Sequence, residues 1–189
     1  MRDAGTAADT LGSCADVTGV PDISEYAPAF AGYVARVAGV DDPLRELTSQ
    51  RATVVARLAK LSDEQASFRY AADKWSIKDL VGHLSDAERV FAYRMLRIGR
   101  GDTTPLSGFE ESDYARAAQS DRRQFGELLA EWSVVRAATM ALASSLPDAD
   151  WVNVGTSNGA PISARALLYI ILGHTEHHLA VLTDRYRVR

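Results

Sequence analysis

Three of the chain's four histidines fall within five positions, in the stretch GHTEHHLAVL at residues 173–182. The fourth, His83, lies in VGHLSDAERV at 81–90. Neutral imidazole is the side chain best suited to grip a divalent ion or to pass a proton near neutral pH. On a helix, successive residues turn by about 100°. His174 and His178 then stand one turn apart, about 40° from each other, in the middle of the face marked by Leu167, Ile170, Ile171, Val181 and Leu182. His177 falls at the edge of that face, and Glu176 turns away to solvent. On the earlier helix, His83 lies beside Leu80, Ala87 and Val90. Glu88 sits well inside the apolar stripe and Asp86 farther out.

A lone histidine on an apolar face is most simply a core residue with a polar partner. Two stacked imidazoles are harder to justify by packing, because neutral rings waste donors and charged rings repel. A shared cation resolves the conflict, since each ring offers it a lone pair and turns its other N–H elsewhere. The spacing His-x-x-x-His suits that arrangement, and His83 on a second core-facing stripe completes a set of three: His83, His174 and His178. Three neutral ligands leave the ion's charge uncompensated and a coordination position open, which is the pattern of a catalytic site. Such an ion lowers the pKa of a water or thiol. No Glu follows the first histidine as in HExxH, so the metalloprotease pattern lacks its base. A bundle with a plain polar core network is the competing expectation.

These side chains need rods to carry them. Helical periodicity is expected over 43–61, with Pro43 in the first turn. A short turn follows at 62–65, with the capping form Ser-Asp-Glu-Gln. A second long helix begins at the Ser76–Asp79 box and runs to Gly99. A third spans 121–145 and stops at Pro147, and a fourth is capped by Ser163 and continues to about Tyr186. The stretches at 99–112 and 147–161 read as irregular loops, and nothing between 43 and 189 reads as a strand. Before the helices, Tyr26, Phe30 and Tyr33 mark a short packing segment. Residues 1–20 read as a loose tail, and 21–189 are expected to form the domain. The expected class is all-α, a four-helix bundle with an irregular N-terminal segment.

The totals agree. A 189-residue chain with 47% apolar and 24% charged residues has the composition of one globular domain. A net charge of −4 offers no footprint for a nucleic-acid backbone. No apolar run is long enough to cross a bilayer. The single cysteine, Cys14, excludes an internal disulfide and a Cys-rich metal site. Its setting, LGSC, lacks the basic and apolar stretches of a secretory leader, so a cytoplasmic protein is expected.

The segments KWSIKDLVGHLSDAERVFAYRML (74–96) and GHTEHHLAVL resemble the DinB-like superfamily of metal-binding four-helix bundles, over about residues 21–189. The resemblance implies a divalent zinc, nickel or iron ion on His83, His174 and His178, with His177 beside the ligands. It also implies a bacterial source, a homodimer, a small-molecule substrate, and kinship with mycothiol-dependent maleylpyruvate isomerase and bacillithiol transferases. On that kinship the expected activity is a thiol-dependent S-transferase using a low-molecular-weight thiol cosubstrate. A metal-dependent hydrolase and a non-catalytic metal-binding stress-response protein are the alternatives. Asp86 and Glu88 are candidates to orient a ligand or accept a proton, though Glu88 could instead pair with Arg51 or Arg57. Arg94 and Arg97 are candidates to meet an anionic substrate. The walls of a pocket are expected from the loop at 99–112 and the turn at 156–161, with Trp75 anchoring the second helix.

Overall fold

The computed structural model describes residues 19–188, so Cys14 and most of the expected tail lie outside the described residues. Seven α-helices and one hairpin follow in order among those residues. They are α1 (Ala31–Arg36), α2 (Pro43–Leu58), α3 (Asp63–Ala66), α4 (Ile77–Gly99), α5 (Glu111–Ala118), α6 (Phe125–Ser144), β1 (Val154–Ser157), β2 (Ala160–Ser163) and α7 (Ala164–Asp184). The four long rods are α2, α4, α6 and α7. Both α2 and α4 pack against α6 and α7, so α2 and α4 occupy one diagonal of the bundle.

Local chemistry explains where the site-bearing rods begin. At α4, the Ser76 hydroxyl accepts from the Asp79 amide at 3.0 Å while the Asp79 carboxylate accepts from the Ser76 amide, a complete capping box. At α7, the Ser163 hydroxyl accepts from the Ala166 amide and donates to Glu25, which also holds Arg165. Ser62 and Gln65 cap α3 reciprocally.

The apolar core divides in two. One cluster gathers Leu47, Phe91, Met95, Trp151, Leu167 and Ile171; the other gathers Val54, Leu80, Leu84, Leu128, Trp132 and Leu182. Between them every long rod contributes polar residues: Gln50 from α2, His83 and Glu88 from α4, Arg136 and Thr139 from α6, and His174, Thr175 and His178 from α7, all buried.

Three expectations change. The 147–161 stretch is not wholly irregular, because β1 and β2 form an antiparallel hairpin with Ser157 opposite Ala160. Its turn is Asn158-Gly159, both at positive φ (51° and 76°), the backbone that suits the twist of a two-residue hairpin. Strands of four residues containing a glycine and a proline are too short for alternation to register. A helix, α5, rises where a loop was expected to end, and the third long rod begins at Phe125 rather than residue 121, after a separate turn at Ser120–Arg122. The segment with Tyr26, Phe30 and Tyr33 does pack over the body, as two short 3₁₀ turns and α1 laid along α7.

Candidate metal centre

His83 projects from α4, two turns beyond its cap, and His174 and His178 project from α7, which packs directly on α4. Their Nε2 atoms converge. His174 Nε2 lies 3.0 Å from His83 Nε2 and 3.1 Å from His178 Nε2. All three residues are largely withdrawn from solvent, at 3%, 4% and 8% exposure in chain order. Burial is the main cause that pulls each imidazole toward its neutral form. It brings His83 to about 4 and His178 to about 3, and holds His174 well below the usual histidine value, with the neighbouring rings adding to the effect.

Protons alone do not reconcile this geometry. A neutral Nε2 carries either one hydrogen or one lone pair, so His174 cannot make in-line hydrogen bonds to two neighbours at once. Three lone pairs aimed at one cation remove the conflict. Nitrogens about 2.1 Å from a common ion lie about 3.0 Å apart at a right angle and about 3.4 Å apart at the tetrahedral angle. The two separations to His174 fall at the start of that range, and the ligand atoms of His83 and His178 lie within 4.8 Å of each other. The donor set of three neutral nitrogens, with no thiolate, suits zinc, nickel or iron better than magnesium or calcium, which prefer oxygen. These three form the one His/Cys/Asp/Glu cluster among the described residues with ligand atoms within 4.8 Å of one another. His178 Nδ1 is buried without a hydrogen-bond partner, so its ring is held by packing rather than by an acceptor.

The rings are braced by aromatics. Trp75 lies 4.8 Å from His83 between centroids, while Tyr33 and Phe91 meet His174 edge-on at 5.3 and 5.8 Å. Tyr33 reaches the site because Gly173 admits its backbone: a Cβ on Gly173 would lie 2.0 Å from the Tyr33 carbonyl oxygen. His177 is only partly buried. Its ring packs on Tyr33 and on His178, outside the converging set.

Beside the histidines opens a cavity of about 330 Å³ lined by His83, His174, Phe30, Phe91, Arg94 and Glu111, among others. The two irregular stretches expected to wall a pocket do so, through Gly108–Glu111 and through Ser157, Asn158 and Ala160. They are tied together, because the Leu106 amide donates to Thr156 and the Asn158 amide donates to Leu106, each at 2.9 Å.

The remaining candidates separate. Glu88 does not meet Arg51 or Arg57; it accepts from Arg136 Nε of α6 at 2.6 Å. Arg51 instead donates to Ser133 and Arg57 to Thr183. Arg136 also donates to Gln50 and Thr175, the residue next to His174. Glu176 is not turned to solvent but half-buried, accepting from Gln50 at 2.8 Å. Asp86 accepts weakly from Arg89 at 3.3 Å, and burial pushes its carboxyl up. Arg94 lines the cavity; Arg97 is taken up by Asp102 and the Tyr93 hydroxyl and does not. Glu111, at the start of α5, was not anticipated. Its Oε2 lies 3.9 Å from His83 Nε2 and its side chain is exposed. The signal for it was the acidic run Glu110-Glu111-Ser112-Asp113, the first turn of a helix, ahead of Ala115 and Ala117-Ala118.

Known proteins share this architecture. The structure of YfiT from Bacillus subtilis, described as "a probable metal-dependent hydrolase with an unusual four-helix bundle topology", superposes with a TM-score of 0.70 at 19% identity, over 78% of this chain and 85% of that one. A protein of Geobacillus thermodenitrificans named "Putative metal-dependent hydrolase" is 30% identical over 132 residues, 66% of this chain and 71% of its own length. A Bacillus licheniformis protein of the same name is 26% identical over 127 residues, 65% of this chain and 70% of its own. The sequence model of the DinB superfamily matches residues 46–182. That span runs from the first turn of α2 to the last turn of α7 and takes in all three converging histidines, and on it the chain belongs to the DinB superfamily.

Proposed function

We propose that the chain is a divalent-metal-dependent enzyme in which His83, His174 and His178 hold the ion and the adjoining cavity receives a small-molecule substrate. The observation that carries this reading is the convergence of three buried Nε2 atoms that no distribution of protons satisfies with two in-line hydrogen bonds. When bound, zinc, nickel or iron supplies Lewis acidity, drawing the pKa of a water or thiol toward neutrality and polarising an electrophile. The chain's own residues do the rest. Burial keeps the imidazoles neutral and available as ligands. Trp75 and Tyr33 hold the rings of His83 and His174 in place, and Phe30 and Phe91 keep water from one wall. Glu111 Oε2 stands where it can accept the nucleophile's proton.

Hydrolysis is the leading form of this reading, supported by Glu111 as proton acceptor and by the names of the two curated relatives. Transfer to a low-molecular-weight thiol is the second, supported by membership of a superfamily whose related branches include thiol-dependent enzymes. The test is metal analysis of the purified protein, then turnover of ester and alkylating substrates with and without a panel of thiols, with His174→Ala as control. One equivalent of metal with thiol-independent ester cleavage supports the hydrolase; strict thiol dependence supports the transferase. A stoichiometric ion without turnover points to a non-catalytic metal protein, and less than about a tenth of an equivalent removes the site. Glu111→Gln should lower kcat about 10²-fold while metal content stays at one equivalent.

The same reading takes residues 21–189 as the working domain, 1–20 as a tail, and the protein as cytoplasmic and homodimeric; sedimentation of the purified chain tests the dimer. No helix among the described residues is long and apolar enough to cross a membrane.

A further inference from the structure

Among the described residues two arginines are buried, and they are treated differently. Arg136, fully enclosed, has the Glu88 carboxylate on its Nε. Arg94, only 4% exposed, has no carboxylate within ion-pairing distance among the described residues. Its single hydrogen bond runs from Nη2 to the Ser107 carbonyl at 2.8 Å, leaving Nε and Nη1 without an acceptor. A guanidinium stays charged at any physiological pH, and burying one without a counter-ion is costly. The Phe91 and Phe109 rings, 6.0 and 5.8 Å from its Cζ, offset part of that cost. Nearby, on the same cavity lining, the Ser157 hydroxyl is 93% enclosed with its residue and also lacks a partner.

We propose that the cavity selects substrates bearing a carboxylate, which the Arg94 guanidinium holds while an apolar body lies against Phe30, Phe91 and Phe109 and the reacting end meets the histidines. This deepens the functional reading above and rests on the cavity being its substrate site. The dimensions agree: Arg94 Cζ is 6.0 Å from the Phe91 centroid and that ring is 5.8 Å from His174, so the guanidinium and the imidazole lie no more than about 12 Å apart on one cavity, within the span of a small molecule. Glu111 stands at the histidine end, 3.9 Å from His83, and neither it nor Glu110 pairs with Arg94. Arg94 is the one cationic side chain among the described lining residues, apart from the neutral histidines. A single planar guanidinium matches the two oxygens of a monoanionic carboxylate, whereas a phosphate dianion calls for further positive charge.

The test is calorimetric binding of 3-phenylpropionate and its neutral amide, 3-phenylpropionamide, to chelator-treated and to metal-loaded protein. The acid is expected to bind at least tenfold more tightly than the amide in both forms. Arg94→Gln should abolish the preference, and Arg94→Lys, which keeps the charge, should retain part of it. Equal binding of acid and amide to the wild-type protein, or absence of both, overturns the proposal without reference to any variant. So does a preference that survives Arg94→Gln, or one that exists only in loaded protein, which would put the carboxylate on the ion. Tighter binding of phenyl phosphate than of 3-phenylpropionate overturns the choice of carboxylate. Because the chelated arm needs no ion, failure of metal uptake would sink the enzymatic reading and leave this result standing.

Discussion

At the scale of single residues, position within the cluster matters more than residue type. His177 and His178 are neighbours in sequence, yet only His178 turns its Nε2 to His174. His177→Ala is therefore expected to keep one equivalent of metal, and His174→Ala to lose at least tenfold in affinity, as read by metal analysis after dialysis against a competing chelator. The converging histidines also make the metal-free protein sensitive to acid. Histidines of the unfolded chain take up protons as pH falls through about 6.5, whereas the folded chain keeps His83 neutral to about 4 and His178 to about 3. The unfolded state thus binds more protons in that window, so this stabilisation is complete above about pH 6.5 and is lost as pH falls toward 3. The urea midpoint of chelated protein should drop between pH 7 and pH 5, before most carboxylates titrate. A midpoint flat across that interval contradicts the burial of neutral imidazoles.

At the scale of elements, α7 is shaped as much by what must approach it as by its own propensity. Glycine weakens a helix interior, and Gly173 sits in the middle of one. It is required there because the Tyr33 carbonyl of α1 occupies the space a methyl would fill. Gly173→Ala should cost about 1–3 kcal/mol despite alanine's better helix propensity, and should push α1 off the site. Gly126 of α6, where a Cβ would meet nothing within 4 Å, provides the contrast. Gly126→Ala should leave stability unchanged or raise it by up to about 1 kcal/mol. Equal effects of the two substitutions in urea unfolding would show that close approach is not what Gly173 provides. The hairpin plays a comparable part, since its Asn158-Gly159 turn lets β1 and β2 present Ser157 and Asn158 to the cavity.

At the scale of the molecule, a polar belt crosses all four rods between two apolar clusters. Its centre is Arg136, which bonds Glu88 of α4, Gln50 of α2 and Thr175 of α7 at 2.6–2.9 Å. Gln50 continues the chain of contacts to the Leu172 carbonyl and to Glu176. The network ends one residue from His174 and links α4 to α7 through Arg136 of α6. Removing only the arginine strands a buried carboxylate: Arg136→Met should destabilise by about 3–5 kcal/mol, and adding Glu88→Leu should recover much of that loss. A double substitution no better than the single would mean that the pair itself does not carry the cost.

How much of this the sequence discloses depends on the range of the interaction. Helix starts at Ser62, Ser76 and Ser163, the inward faces of the long rods, and the shared face of His174 and His178 are set by neighbours three or four residues away, so periodicity and capping chemistry determine them. The same local rules left α5 and the hairpin obscure, being short and only weakly patterned. The partner of Glu88, the place of Tyr33 beside His174, the arrival of Glu111 near His83 and the isolation of Arg94 depend on residues tens of positions apart. Only the packing of the rods decides those, because no local preference records which side chain a distant helix will bring within 3 Å.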